Sequence, residues 1–200
     1  MLPEFKNEPF TDFSLADQVD AFRTAMDKVK SEIGQTYPLI IGGEKIFLDE
    51  TFASLNPARP QQELARFSKA NTEHAQLAIE AADKAFKTWQ YVPANDRAKY
   101  LLRVAQRMRE RKHEFSAVMV LEVGKSWAEA DADTAEAIDF LEYYARQMMR
   151  MADSSHLLTS YAPEQLEFHY IPLGIGVVIP PWNFLNAFMT GMTSASIVAG

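Results

Sequence analysis

Apolar residues recur every three or four positions along much of this chain, which is the spacing of amphipathic helices. The first such stripe follows Ser14 and ends at Ile33, and Gly34 then supplies a residue suited to a helix C-terminus. Ser14 and Asp17 have a spacing close to that of a capping box, so we expect the first helix to begin there. Further stripes predict three more helices, over residues 72–89, 95–123 and 127–151.

Shorter apolar runs separated by turn residues predict strands. The segment YPLIIGGEKIFL contains two such runs around Gly42-Gly43, a pattern typical of a hairpin. The segment SLNPARPQQELARFSKA predicts a strand, a proline-rich turn and a second strand. Apolar and polar residues alternate over 157–170, which predicts an exposed hairpin with its turn near Ala162-Pro163.

The last thirty residues, IPLGIGVVIPPWNFLNAFMTGMTSASIVAG, contain no charge. We expect a buried strand over 176–179, a turn over 180–184 and a helix that begins near Leu185 or Asn186. A membrane span is excluded because Pro180 and Pro181 would break a helix there, and Asn183 would lie unpaired in hydrocarbon. The strand–turn–helix ending, after hairpins and helices, predicts an α/β fold.

Composition excludes several classes of function. The hydrophobic fraction of 48% and charged fraction of 24% are those of an ordinary globular protein. A net charge of −7 argues against a nucleic-acid partner, so the basic cluster over 97–112 is interpreted as a solvated helix face. There is no cysteine, which excludes disulfides and a cysteine nucleophile within these 200 residues. The N-terminal MLPEFKNEPF lacks the pattern of a signal peptide, so we expect a cytoplasmic protein.

The titratable residues predict no metal site. Glu129, Asp133, Glu136 and Asp139 share a helix face by their spacing, but no histidine joins them within a turn. We therefore interpret that face, which also includes Asp131 and Glu142, as solvated surface. The histidines fit no metal-binding spacing and lie far apart, at His74, His113, His156 and His169.

The turn over 180–184 is the strongest candidate site. It lies at the carboxyl end of a predicted buried strand and before a helix, where open α/β sheets bind ligands. Asn183 offers an uncharged amide donor that could stabilise a developing oxyanion. An asparagine that caps the following helix explains the same residue equally well. Spacing alone does not separate these two interpretations.

The motif IPLGIGVVIPPWNF resembles the signature of the aldehyde dehydrogenase superfamily, in which a strand ends in Pro-Trp-Asn-Phe-Pro before a helix of the cofactor fold. The segments NEPF, YPLIIGGEKI, SLNPARP, RERKHEF and EVGKSWAEADADTAEAIDFLEYYARQM are similar to one branch, the 1-pyrroline-5-carboxylate (L-glutamate γ-semialdehyde) dehydrogenases of proline catabolism. The resemblance covers nearly all of the chain. It departs at Leu185-Asn186, where the family usually has proline after Asn-Phe.

The resemblance implies a role for each residue of the turn. The family's oxyanion-hole asparagine corresponds to Asn183, and an aromatic that packs against the substrate corresponds to Phe184. The residues implied to line the NAD site are Ile179, Pro180, Pro181 and Trp182. The cofactor is expected to be NAD, with NADP left open, and the hairpin is expected to drive homo-oligomerisation.

The implied organisation has four parts: an N-terminal helical arm (1–35), the N-terminal part of an NAD-binding domain (36–155), an oligomerisation hairpin (156–170) and the first strand, turn and helix of a Rossmann-type fold (171–200). The catalytic cysteine, the general-base glutamate and the catalytic domain of the family are expected downstream of residue 200. The sequence thus predicts the N-terminal part of an enzyme that oxidises a small aldehyde, L-glutamate γ-semialdehyde, and predicts that the 200-residue chain is itself inactive. Two alternatives remain open: an aldehyde dehydrogenase of another substrate, and a short non-catalytic binding or oligomerisation module.

Overall fold

A computed structural model describes residues 2–153, 157–159 and 161–200. These residues contain six α-helices: α1 (Ala16–Ser31), α2 (Thr72–Trp89), α3 (Ala94–Glu110), α4 (Lys112–Val123), α5 (Trp127–Ala152) and α6 (Ala187–Ala199). They also contain five strands: β1 (Gln35–Tyr37), β2 (Leu39–Ile41), β3 (Glu44–Ile46), β4 (Thr51–Asn56) and β5 (Arg59–Ser68). Among the described residues, no helix is both long enough and apolar enough to cross a membrane.

The main core lies where α5 packs between α3 and α6. Its buried side chains are Ala98, Leu101, Ala105, Met108, Ala137, Ile138, Leu141, Ala145 and Val198. Because four of these nine side chains are alanines, the helix backbones approach one another closely. At Gly191 of α6 a Cβ atom would lie 2.8 Å from a ring carbon of Phe140, so only glycine fits without a shift. The predicted inward stripe of α5 is confirmed.

The strands form two small sheets. The first has the order β1-β5-β4, with β1 parallel and β4 antiparallel to the long central strand β5. The second is the antiparallel pair β2-β3, whose two-residue turn places Gly42 and Gly43 at φ of +61° and +88°. Left-handed backbone of this kind favours glycine. Both hairpins predicted before residue 70 are confirmed.

Two helix boundaries differ from the prediction. Leu15, rather than Ser14, is the N-cap of α1, because Ser14 donates both its N–H and its hydroxyl to Asp12, at 2.9 and 2.6 Å. The single helix predicted over 95–123 is two helices, α3 and α4. Arg111 separates them at φ −117° and ψ 20°, outside helical geometry, so that α4 can pack against α1 while α3 packs against α5.

The acidic face of α5 is not the solvated surface that the sequence predicts. Asp131 and Asp133 are only 1% and 2% exposed. Asp131 accepts the backbone N–H of Thr11 at 2.7 Å and pairs with Lys112, while Asp139 accepts the N–H of Glu8 at 2.7 Å. This face therefore binds the N-terminal segment along α5. The interpretation failed because the N-terminal partners, Glu8 and Thr11, lie more than a hundred residues away in sequence.

The basic cluster over 97–112 is likewise only partly solvated. Arg97 is 5% exposed, and its guanidinium donates to the carbonyls of Val92, Val198 and Ala199. Arg109 pairs with Glu8 and Glu142. These arginines connect α3 to other elements, while Arg103 and Arg107 remain exposed.

Residues 165–181 belong to no strand, so the buried strand predicted over 176–179 is wrong for this chain. A strand needs a hydrogen-bonded neighbour, and the described residues supply none here. Val177 and Ile179 are consequently exposed. The hairpin predicted over 157–170 is reduced to one bridge, Tyr161–Glu164, around the predicted turn. Positions 156 and 160 lie outside the described residues.

Candidate active site

A tight turn over 182–186 leads into α6 and presents the candidate site residues. The carbonyl of Phe184 accepts the N–H of Phe188 at 3.2 Å, and the carbonyl of Asn186 accepts the N–H of Thr190 at 3.0 Å. The N-cap of α6 is therefore Asn186. Because Asn183 lies three residues earlier and does not cap the helix, the interpretation of Asn183 as a helix cap is wrong.

Asn183 instead lies on the surface of an open cavity of about 520 Å³. The cavity is lined by residues of the N-terminal segment, the α4–α5 connection, α5 and the turn: Phe10, Lys125, Glu129, Ala132, Asp133, Glu136, Asp139, Asn183 and Phe184. The side chain of Asn183 is exposed, and in the described part of the chain no hydrogen bond engages its amide. Its donor is thus free to meet an oxygen atom in the cavity.

A buried ion pair lies under the turn. Lys125 contacts the carboxylate of Asp133, and the side chain of each is largely removed from solvent. The other carboxylate oxygen of Asp133 accepts the backbone N–H of Ala187, the first residue of α6, at 2.7 Å. The ammonium of Lys125 also lies 4.7 Å from the ring centroid of Phe184, a cation–π distance. The ion pair thus contacts the turn at Phe184 and the start of α6 at Ala187.

The cavity has a negative electrostatic character. Burial raises the pKa of Glu136, and the nearby carboxylates of Asp133 and Asp139 raise it further, while Lys125 opposes them. Hydrogen bonds from Ser126 lower the pKa of Glu129. Within the described ranges, no ion pair neutralises Glu136, and no group of three histidine or carboxylate side chains could hold a metal ion.

The residues that the resemblance implies for cofactor binding lie outside this cavity's lining. Ile179 and Trp182 are 79% and 78% exposed. Pro181 is also exposed, whereas Pro180 is half-buried. Together they leave flat apolar surface open beside the turn, which suits the face of an adenine ring. The structure therefore brings Asn183 and Phe184 together in one cavity and leaves these four residues outside it.

Sequence reasoning assigned only Asn183 and Phe184 of the cavity lining to a site, and it missed Lys125, Asp133 and Phe10 among others. Lys125 was visible only as part of the break Gly124-Lys125-Ser126, and Asp133 only as one of several acids. Phe10 reaches the cavity from the N-terminal segment and is 73% exposed. No spacing rule connects these residues, because each comes from a different element. The only available signal was a lysine placed shortly before an acid-rich helix.

The chain matches known proteins along its whole length. The model of the aldehyde dehydrogenase family matches residues 47–200. A 1-pyrroline-5-carboxylate dehydrogenase of Geobacillus sp. (strain WCH70) is 52% identical over 200 residues, which are all of this chain and 39% of that protein. The chain therefore spans well under half the length of the curated relatives it matches.

Solved structures agree with this comparison. A point mutant of the 1-pyrroline-5-carboxylate dehydrogenase of Thermus thermophilus superposes with a TM-score of 0.95 at 46% identity, over all of this chain and 39% of that one. A 1-pyrroline-5-carboxylate dehydrogenase from Thermus with bound NAD gives the same values. The proline utilization A protein of Bdellovibrio bacteriovorus gives a TM-score of 0.83 at 31% identity, over 98% of this chain and 20% of that one.

Proposed function

Since this chain belongs to the aldehyde dehydrogenase family, we propose that it is the N-terminal part of an NAD-dependent dehydrogenase that oxidises L-glutamate γ-semialdehyde to L-glutamate. The observation that carries the proposal is the free amide of Asn183, which faces a cavity beside the ring of Phe184. The relatives named above, at 52% and 46% identity, support the choice of substrate.

The charge of the cavity also supports an amino-acid substrate. Glu136 brings a carboxylate without an ion-pair partner in the described part of the chain, close to Asp133 and Asp139. A substrate ammonium group would compensate the unpaired carboxylate of Glu136. The ring of Phe184, whose centroid lies 4.8 Å from that of Phe188, offers apolar surface for the aliphatic part of the same molecule.

In the proposed reaction, the side-chain amide of Asn183 donates a hydrogen bond to the aldehyde oxygen as negative charge develops there. NAD⁺, when bound, supplies the hydride acceptor. Ile179, Pro180, Pro181 and Trp182 would hold its adenosine side on their exposed apolar surface. The proposal assigns the attacking thiol to a part of the enzyme outside these 200 residues, because they include no cysteine.

Three further statements belong to the proposal. Residues 36–155 and 171–200 contribute to the NAD-binding domain, since α5 and α6 together hold the turn. Residues 156–170 drive homo-oligomerisation, because Tyr161, Leu166 and Tyr170 expose large apolar side chains. The enzyme works in the cytoplasm, where proteins without disulfides are usual.

The test measures NADH formation from L-glutamate γ-semialdehyde by the complete dehydrogenase. Loss of an oxyanion donor typically lowers kcat by about 10²–10³, so we expect this loss from Asn183→Ala, with little change in the KM for NAD. Trp182→Ala should instead raise the KM for NAD. Asn71→Ala, which removes an amide that caps α2, is the matched control and should leave kcat unchanged.

Two results would contradict the proposal. One is an Asn183→Ala enzyme with wild-type kcat. The other is measurable NADH formation by a pure preparation of the 200-residue chain alone, since that chain contains no thiol.

A further inference from the structure

The turn that carries Asn183 has few attachments of its own. Asn183 is exposed, and residues 176–181 before it form no strand. After it, the first backbone N–H groups of α6 have no side-chain cap from Asn186. The first turn of a helix leaves such N–H groups without partners inside the helix. A distant residue must therefore hold this end of α6.

Asp133 supplies that contact. One of its carboxylate oxygens accepts the N–H of Ala187 at 2.7 Å, from a position 54 residues earlier in sequence. A carboxylate at this end of α6 also lies at the positive end of the helix macrodipole. The second oxygen binds Lys125, whose ammonium lies over the ring of Phe184. The ion pair thus fixes Phe184, one position after Asn183, and Ala187, four positions after it.

We propose that the Lys125–Asp133 ion pair is a positioning device that sets the orientation of the Asn183 amide for oxyanion stabilisation. The inference rests on the function proposed above. Neither residue needs to touch the reacting atoms, because Asp133 acts through the backbone of α6 and Lys125 through the ring of Phe184. A buried pair contributes little net stability compared with apolar residues of the same volume, which leaves precise placement of the turn as its main effect.

The same helix provides a matched control. Asp131 is as buried as Asp133, pairs with a lysine (Lys112), and also accepts a backbone N–H at 2.7 Å, that of Thr11. The two aspartates differ in their backbone partners, since Thr11 belongs to the N-terminal segment and Ala187 begins the helix after the turn. Loss of either carboxylate should destabilise the protein, but only loss of Asp133 should affect the chemistry.

The experiment compares Asp133→Ala and Asp131→Ala in the complete dehydrogenase. A misplacement of a catalytic group by about 1 Å can lower the rate by about 10²-fold. We expect Asp133→Ala to lower kcat by about this factor with a much smaller change in the KM for the semialdehyde, and Asp131→Ala to retain kcat. In the double variant with Asn183→Ala, the Asp133→Ala substitution should cause no further loss, because the amide it positions is gone.

A second measurement follows the turn directly. Hydrogen–deuterium exchange at the amide of Ala187 should accelerate in Asp133→Ala and remain unchanged in Asp131→Ala. Lys125→Arg should restore most of the activity lost in Lys125→Met, because it keeps both the charge and the cation–π contact.

The possible failures are distinguishable. A wild-type enzyme that forms no NADH from the semialdehyde refutes the proposed function. Unchanged exchange at Ala187 in Asp133→Ala refutes the positioning role whatever the activity. Equal losses of kcat in Asp133→Ala and Asp131→Ala, or additive losses with Asn183→Ala, also overturn it, because both indicate a purely structural effect.

Discussion

Replacement of Arg97 by methionine should detach the C-terminal end of α6 from α3. The Arg97 guanidinium donates to the carbonyl of Val198 at 2.9 Å, to that of Ala199 at 3.2 Å, and to that of Val92. No salt bridge within the described residues involves this arginine, so its charge is compensated by carbonyl dipoles alone. Burial accordingly lowers the pKa of Arg97.

The three carbonyls determine how much the free energy of unfolding falls in Arg97→Met. Val198 is 4% exposed, so its carbonyl would stay buried without a partner, at a cost of about 1–3 kcal/mol. Val92 and Ala199 are less buried, and their carbonyls can regain water, so each lost hydrogen bond costs about 0.5–1.5 kcal/mol. Methionine fills most of the volume of the aliphatic stem and limits the cavity cost. We expect Arg97→Met to lower the free energy of unfolding by about 3 kcal/mol.

Urea unfolding followed by tryptophan fluorescence measures this change as a lower midpoint at constant m-value. Arg103→Met is the control, because Arg103 is on the same helix and exposed, with its guanidinium 4.5 Å from the ring of Tyr100. Loss of this cation–π contact should lower the free energy of unfolding by less than about 1 kcal/mol. The reasoning is refuted if Arg97→Met costs no more than Arg103→Met.

Two further predictions concern packing and pH. Gly191→Ala should lower the free energy of unfolding, typically by about 1–3 kcal/mol for overpacking, because the new Cβ would lie 2.8 Å from the ring of Phe140. Gly176→Ala is the control, since a Cβ there would meet nothing within 4 Å. Equal unfolding midpoints for the two variants would contradict the packing argument. Burial lowers the pKa of His113, whose ring packs 5.6 Å from that of Phe22 and whose Nδ1 has no hydrogen-bond partner among the described residues. Its contribution to stability is therefore present above the unfolded-state pKa near 6.5 and is lost as pH falls through the folded-state pKa. In thermal unfolding, the His113→Phe variant should not show this loss of stability at low pH. Parallel plots of unfolding temperature against pH for the variant and the wild type would contradict the prediction.

Some features followed from local pattern alone. The inward stripe of α5 was predictable because Ala130, Ile138 and Leu141 repeat at the period of a helix, and such a stripe must be buried somewhere. The glycine pair at 42–43 identified the β2–β3 turn because few other residues adopt its backbone conformation. The Pro-Pro-Trp-Asn-Phe segment located the turn before α6 for similar reasons.

Other features were beyond the reach of local pattern. The carboxylates of Asp131 and Asp133 look the same in sequence as those on a solvated helix, and only the fold brings Thr11 and Ala187 to them. The strand expected over 176–179 depended on a neighbour, and a strand without a hydrogen-bonded neighbour does not form. The tendency of a segment to form a helix or strand follows from its own residues, whereas the tertiary partner of a side chain or strand does not.

The sequence by itself therefore determined the helices apart from the break at Arg111, the two hairpins before residue 70, the family and the position of Asn183 in a turn, because each depends on residues close together in the chain. Only the tertiary structure decided which charges are buried and what they hold. The hydrogen bond that holds the start of α6 joins Asp133 to Ala187 across 54 residues of sequence, and the pairing of a buried charge is a property of the folded interior rather than of any one segment.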